Sequence, residues 1–408
     1  MTSIPPSTPG DHGPPDASGP GAPATARWPR RTGFALVLAL AMGTGTFPGF
    51  AFGVLGPDLI AEFALTRTRL GLLTTVFFGV GGLGSIVAGG VVDRFGARRT
   101  MVAAFAVMAG ALVAMAAAGG LGALLVASAA AGVSLAAGNP TTNKAVAEHL
   151  PVGRRGLTMG VKQAGVQFGA VLAGSVVAPL AAVQGWRLAL AASAVVPAVG
   201  IALTYAVVPP DRATLAASPR APRTPLPGPV RELAVYAFLM GAAVGAFNAY
   251  LPLYGVEQVG LETTGAGAVA AAVGVVGVVS RIAWGWASEH LRSFRRPLLV
   301  MGIGGAIAIG ILAIAPAGGP WLLWLGGLAF GATAITWNAV GMLAIVARVD
   351  SADAGRASGL VLFGFYTGFV PSPVAFGALV DATDSYALSW GVVAGLLTVA
   401  GWWARRAA

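Results

Sequence analysis

Stretches of about twenty residues with almost no charge recur along this chain, and that recurrence decides what it can fold into. A helix needs roughly 20 apolar residues to cross a bilayer. Twelve stretches qualify: 33–56, 70–91, 100–118, 121–143, 157–182, 187–208, 233–254, 265–287, 297–315, 321–346, 357–379 and 386–404. Hydrophobic residues make up 56% of the chain and charged residues only 10%, against about 25% charged in a soluble domain. The expected fold class is an all-α membrane protein with twelve transmembrane helices.

The segments between the stretches give the organisation. Residues 1–31 are rich in Pro, Gly, Ser and Thr and cannot build a core, so a disordered tail is expected there. The first stretch lacks a small-x-small cleavage site, which favours an uncleaved helix over a signal peptide. The longest interruption, Pro-rich, falls near 209–230 and divides a six-helix unit at 32–208 from another at 231–408. Among loops and termini, only Arg67, Arg69 and Arg187 fall on the side opposite the chain ends. Every other loop or terminal Lys and Arg lies on the side of the ends, so both termini are expected in the cytoplasm of a cell (inner or plasma) membrane. The net charge of +10 then meets the anionic leaflet of the bilayer rather than nucleic acid.

Several chemistries are excluded. The chain has no cysteine, and its three histidines, His12, His149 and His290, are expected in the tail or loops. No metal site, cofactor or catalytic residue is expected. There is no G-x-x-x-x-G-K-[ST] loop for a nucleotide, so neither an enzyme nor an ATP-driven pump is expected.

The halves repeat. A shift of 196 residues lays Gly81 on Gly277, Gly89 on Gly285 and Asp93 on Glu289. A shift of 199 lays Gly132 on Gly331, Asn139 on Asn338, Gly165 on Gly364 and Gly169 on Gly368. Parallel repeats of this kind belong to secondary transporters, whose site lies between the halves near the midplane.

GGVVDRFGARR, from Gly89 to Arg99, resembles the loop signature of the major facilitator superfamily, G-x-x-x-D-R-x-G-R-R/K. Gly89, Asp93, Arg94, Gly96, Arg98 and Arg99 fit it, while Ala97 replaces a basic residue; Gly285 and Glu289 echo it in the second half. The resemblance covers about residues 32 to 406. It implies two pseudo-symmetric six-helix bundles, a monomer, and a cytoplasmic latch in which Asp93 meets the start of helix 11. A carboxylate is favoured at a helix N-terminus by the dipole and the unbonded N–H groups there. The plainer reading, that the arginines only mark the cytoplasmic face, is compatible with this.

Polar residues inside a bilayer are costly and tend to face a cavity or a partner. Here they crowd into some spans and nearly avoid spans 3 and 9, the division expected of the superfamily's pathway-lining and supporting helices. Asn139 and Asn143 lie on span 4, Gln163 and Gln167 on span 5, Asn248 on span 7, Asn338 on span 10 and Tyr366 on span 11. Of these, Asn139, Gln163, Gln167, Asn248, Asn338 and Tyr366 are candidate substrate-binding residues; the competing use is as hydrogen-bonding glue between helices. Lys162 and Arg281 are cations inside spans 5 and 8, and no Asp or Glu sits deep in any span to neutralise them. Snorkelling toward the cytoplasm is the alternative to a binding role.

Two buried cations without a buried anion point to an anionic solute. The segment R-I-x-W-G-W-x-S-E from Arg281 resembles that of oxalate/formate antiporters and monocarboxylate porters, where an arginine in helix 8 contacts a carboxylate. The leading expectation is a secondary transporter of a small organic anion, with an ion co-transported or exchanged. The rivals are a drug/proton antiporter and a facilitator of a neutral, sugar-like solute. GVQFGAVLAG, from Gly165 to Gly174, matches the antiporter motif G-x-x-x-G-P-x-x-G-G only in degenerate form.

Overall fold

The computed structural model describes residues 28–150, 155–211, 228–291, 293–349 and 351–407. The expected tail therefore lies outside the described residues up to 27, and the expected linker from 212 to 227. Among the described residues, twelve helices are long and apolar enough to cross a membrane. In chain order they are α1 (Thr32–Val54), α2 (Arg67–Phe95), α3 (Ala97–Ala116), α4 (Leu121–His149), α5 (Thr158–Gln184) and α6 (Trp186–Val207). The second half follows with α7 (Gly228–Glu257), α8 (Thr263–Ser288), α9 (Arg295–Ala313), α10 (Pro320–Ile345), α11 (Arg356–Thr383) and α12 (Tyr386–Arg406).

Several helices outrun their apolar stretches, because nothing stops a helix when it leaves the hydrocarbon. His149 and His290, expected in loops, consequently stand within the last turns of helices Leu121–His149 and Thr263–Leu291. Four spans are irregular inside, α6 with a turn at Ala194 between Trp186–Ser193 and Val195–Val207. A π-helical turn, Ala173–Val177, interrupts α5. A 3-10 turn, Ala334–Thr336, interrupts α10. In α11 the helix stops at Phe369 and resumes at Ser372, where Pro371 and Pro373 each lack the N–H that would continue the ladder.

The repeat read from the sequence is a packing repeat. A methyl group at Gly165 would strike the carbonyl of Ala39, and one at Gly364 that of Ala234. Likewise Gly169 lies on the carbonyl of Gly43, and Gly368 on that of Phe238. The partners stand 195 residues apart in both cases, so α1 crosses α5 as α7 crosses α11. Gly132 and Gly331 similarly press on the carbonyls of Phe77 and Val273, which are 196 residues apart. At these crossings small residues bring backbones into contact, which is how membrane helices pack without a hydrophobic drive.

The two halves meet along a seam between α5 and α8 and pack closely on one side. On the side opposite the helical ends of the chain, α2 packs on α11: Phe78 meets Phe369 edge-on at 4.6 Å, and Thr75 Oγ1 donates to Val370 O at 2.7 Å. The same face of α2 continues as Gly82 and Gly89, where an added methyl would meet nothing within 4 Å. Gly160 on α5, Gly285 on α8 and Gly359 on α11 stand equally open. The molecule is thus closed on the far side and parted on the side of its termini.

Gly165→Ala forces a methyl into the Ala39 carbonyl, and overpacking of this kind costs about 1–3 kcal/mol. Gly160→Ala sits in open space and should change stability by no more than about 1 kcal/mol. Thermal unfolding of the two variants in detergent checks the contrast.

Candidate functional site

Helices α5 and α8 run together along a seam between the halves. Gly174 and Gly267 close its far end, and Gly274 lies against Ala170. Gln167, buried at 4% exposure, lies beside Gly277, where an added methyl would come 3.5 Å from Nε2. One turn further toward the terminal side, Arg281 Nη1 donates to the main-chain carbonyl of Gln163 at 3.3 Å. Arg281 thus crosses from the second half to the first. Its Nε and the Oε1 of Gln163 are both buried without a hydrogen-bond partner.

Lys162 occupies the next position on α5 and turns to α4, where its Nζ donates to Asn143 Oδ1 at 2.5 Å. At 1% exposure it does not snorkel. Among the described residues, neither Lys162 nor Arg281 forms an ion pair. The structure brings Lys162, Gln163, Gln167 and Arg281 together around α5.

The other expected binding residues are scattered by comparison. Asn139 is exposed on α4 just before Pro140, and its carbonyl accepts from Thr142 Oγ1 at 3.2 Å. Asn338 follows the 3-10 turn of α10, and its Oδ1 is buried without a partner. Asn248 stands where α1 meets α7, with its carbonyl against Gly53. Tyr366 packs its ring on Phe365. No hydrogen bond joins these four to Lys162 or Arg281 among the described residues.

The signature loop is built around Gly96, whose φ of 89° suits glycine and which ends α2 and begins α3. Asp211 fills the start of α3, accepting from the N–H of Arg98 at 2.7 Å and of Arg99 at 3.2 Å. The Arg98 guanidinium donates to Tyr205 O and lies over the Tyr205 ring. Arg94 is exposed over Phe95. Asp93 pairs with Lys144 of α4 at 3.3 Å, and Lys144 also reaches Glu148. The side chains at the start of the helix Ser351–Phe369 and that of Glu289 lie outside the described residues.

One cluster escaped the sequence reading. On the far side Arg67 of α2 pairs with Glu257 of α7 at 3.0 Å and with Asp381 of α11 at 3.8 Å. Asp381 accepts from the N–H of Arg67 at 3.1 Å and the N–H of Thr68 at 2.8 Å, and from the Thr68 hydroxyl. Tyr386 donates to Glu257 at 2.7 Å with the Arg67 guanidinium over its ring. Tyr250 donates to the carbonyls of Arg67 and Pro373. The available signal was the scarcity of far-side cations, Arg67 among them, against carboxylates at the ends of spans 7 and 11. Also on this side, hydrogen bonds from Arg187 and then Trp186 hold the Glu62 carboxyl below its ordinary pKa.

Comparison with known proteins places this architecture. The family model described as Major Facilitator Superfamily matches residues 33–373. The chain belongs to that superfamily. It is a multi-pass membrane protein and a secondary transporter, not an enzyme. A protein of Cupriavidus necator named as a probable sulfoacetate transporter is 26% identical over 85% of this chain and 86% of its own length. One of Mycobacterium tuberculosis named as a probable nitrate/nitrite transporter is 29% identical over 86% of this chain and 90% of its own. A bacterial homologue of the human lysosomal transporter Spinster, solved inward-facing and occupied, superposes with a TM-score of 0.76 at 17% identity, covering 94% of this chain and 97% of that one. That last likeness speaks to the fold.

Asp381→Asn removes the charge that ties α11 to α2 and should open the far side of this transporter. In the cysteine-free chain, Thr74→Cys places one thiol at a buried position of α2 (2% exposed). An impermeant maleimide should label it about tenfold faster when Asp381→Asn is added, the effect of losing one charge-assisted hydrogen bond. An unchanged rate would show that the cluster does not hold the gate.

Proposed function

We propose that this superfamily member moves a small organic anion of the carboxylate class by alternating access, with its parted side toward the cytoplasm. The observation that carries the reading is the pair Lys162 and Arg281. Both stand on helices at the junction of the halves, both are bonded to neutral acceptors, and neither has a carboxylate partner among the described residues. A cation at the centre of a membrane helix costs about 2.5–3.5 kcal/mol on the insertion scale. An anionic substrate supplies the compensating charge. Arginine's planar fork suits a carboxylate in particular. The named cargoes of the two relatives, sulfoacetate and nitrate or nitrite, are anions as well. The one-sided distribution of Lys and Arg supports the orientation.

The geometry suggests how binding drives the cycle. Arg281 belongs to the second half and Lys162 to the first, so an anion held by both favours the arrangement in which the halves approach on the terminal side. A ligand shifts a conformational equilibrium only through such a difference in contact between states. The far-side cluster then separates. The signature loop, with Gly89, Asp93, Gly96 and their echoes Gly285 and Glu289, closes the terminal side in its place.

The purified protein in liposomes, loaded with labelled organic anions, sugars or lipophilic cations, tests this. Exchange of an anion is expected, and Arg281→Gln should reduce it on the order of a hundredfold, as truncation of a buried charge pair does. Uptake of a sugar or a cation that survives Arg281→Gln would overturn the reading.

A further inference from the structure

Lys162 and Arg281 do not converge on one point. Lys162 faces α4 and donates to Asn143, while Arg281 arrives from α8 and donates to the main chain of Gln163. The two cations therefore lie on different flanks of α5. An ammonium has three N–H donors and a guanidinium five. Each uses one in the bonds just named, and each partner is a neutral oxygen. Asn143 is exposed, whereas Lys162 behind it is buried at 1% exposure. An anion that reaches Lys162 from the side on which Asn143 is exposed takes the place of the Asn143 carboxamide oxygen. A single carboxylate cannot replace both this oxygen and the Gln163 carbonyl, because they stand on different flanks of the helix. A monoanion would leave one of the two cations uncompensated where charge is costly.

We propose that the substrate carries two anionic groups, one taken by the Arg281 guanidinium and the other by the Lys162 ammonium, with Asn143 positioning Lys162 until the second group displaces it. This deepens the anion reading and rests on it. Lys162 then determines specificity: it selects for the second charge, while Arg281 is required for any anion.

Matched pairs that differ by one charge test this in the full-length protein reconstituted in liposomes. Malonate is set against malonamate, succinate against succinamate, and phthalate against phthalamate, each as competitor and as exchange partner. In the wild type the dianion of an active pair should be preferred by about tenfold or more, the worth of one charge-assisted contact. Lys162→Gln should bring that ratio to about one while monoamide exchange persists, and Lys162→Arg should keep the preference. Equal use of both members by the wild type overturns the proposal. So does a preference unchanged in a Lys162→Gln protein that keeps wild-type thermal stability. Should no member of any pair bind or exchange while a neutral solute does, the anion reading falls too, which separates the two failures.

Discussion

A carboxylate of one half caps a helix of the other, and the shape of the whole molecule follows from it. The first turn of any helix leaves N–H groups unbonded, with partial positive charge gathered there. For α2 the Asp381 carboxylate, at the far end of α11, accepts from the first two of those groups. Arg67 adds a guanidinium shared between Glu257 and Asp381. The ion pairs are partly exposed, at 21–29% of their side-chain surface, so each is worth only about 0.2–1 kcal/mol. The surrounding hydrogen bonds contribute about 0.5–1.5 kcal/mol each. A sum of a few kcal/mol favours the closed far side, and a ligand reverses it only where its affinity for the other state is greater by a similar amount. The gate is strong enough to choose a conformation and weak enough for a substrate to reverse it.

Closure at one end parts the other because each half is stiff. Where α1 crosses α5 and α7 crosses α11, glycines set backbone against backbone, so that little lies between the helices to repack. Such halves rock rather than bend. The seam between α5 and α8 is the place where that rocking meets buried charge, since Arg281 of one half is bonded to the main chain of the other.

The fold was legible because its strongest determinants are local: apolar length, loop charge and the repeated glycines. The pairing of Lys162 with Asn143 was not legible, since nothing along the chain shows which residue of another span a side chain will meet. Helix ends were set too short, as at His149 and His290, because hydropathy marks the hydrocarbon and not the helix. The far-side cluster was not legible. Arg67, Glu257 and Asp381 are separated by 190 and 124 positions and meet only through the assembled halves. Periodicity within a span carries no information about a partner on another. The same reason scattered Asn139, Asn248, Asn338 and Tyr366, which share polarity but not a common contact.

The kink in α11 has an evolutionary side. Thr75 of α2 approaches it across the interface with a hydroxyl, as Tyr250 of α7 approaches the start of α2, but what they meet are the carbonyls of Val370 and Arg67. A main-chain oxygen is present whatever side chain stands above it, so the residue at 370 can drift without losing the bond. Selection on this part of the seam therefore acts on one partner alone, together with the prolines that bend the chain. A comparison of many sequences that looks for paired substitutions across the interface would find the acid–arginine cluster and miss these bonds entirely.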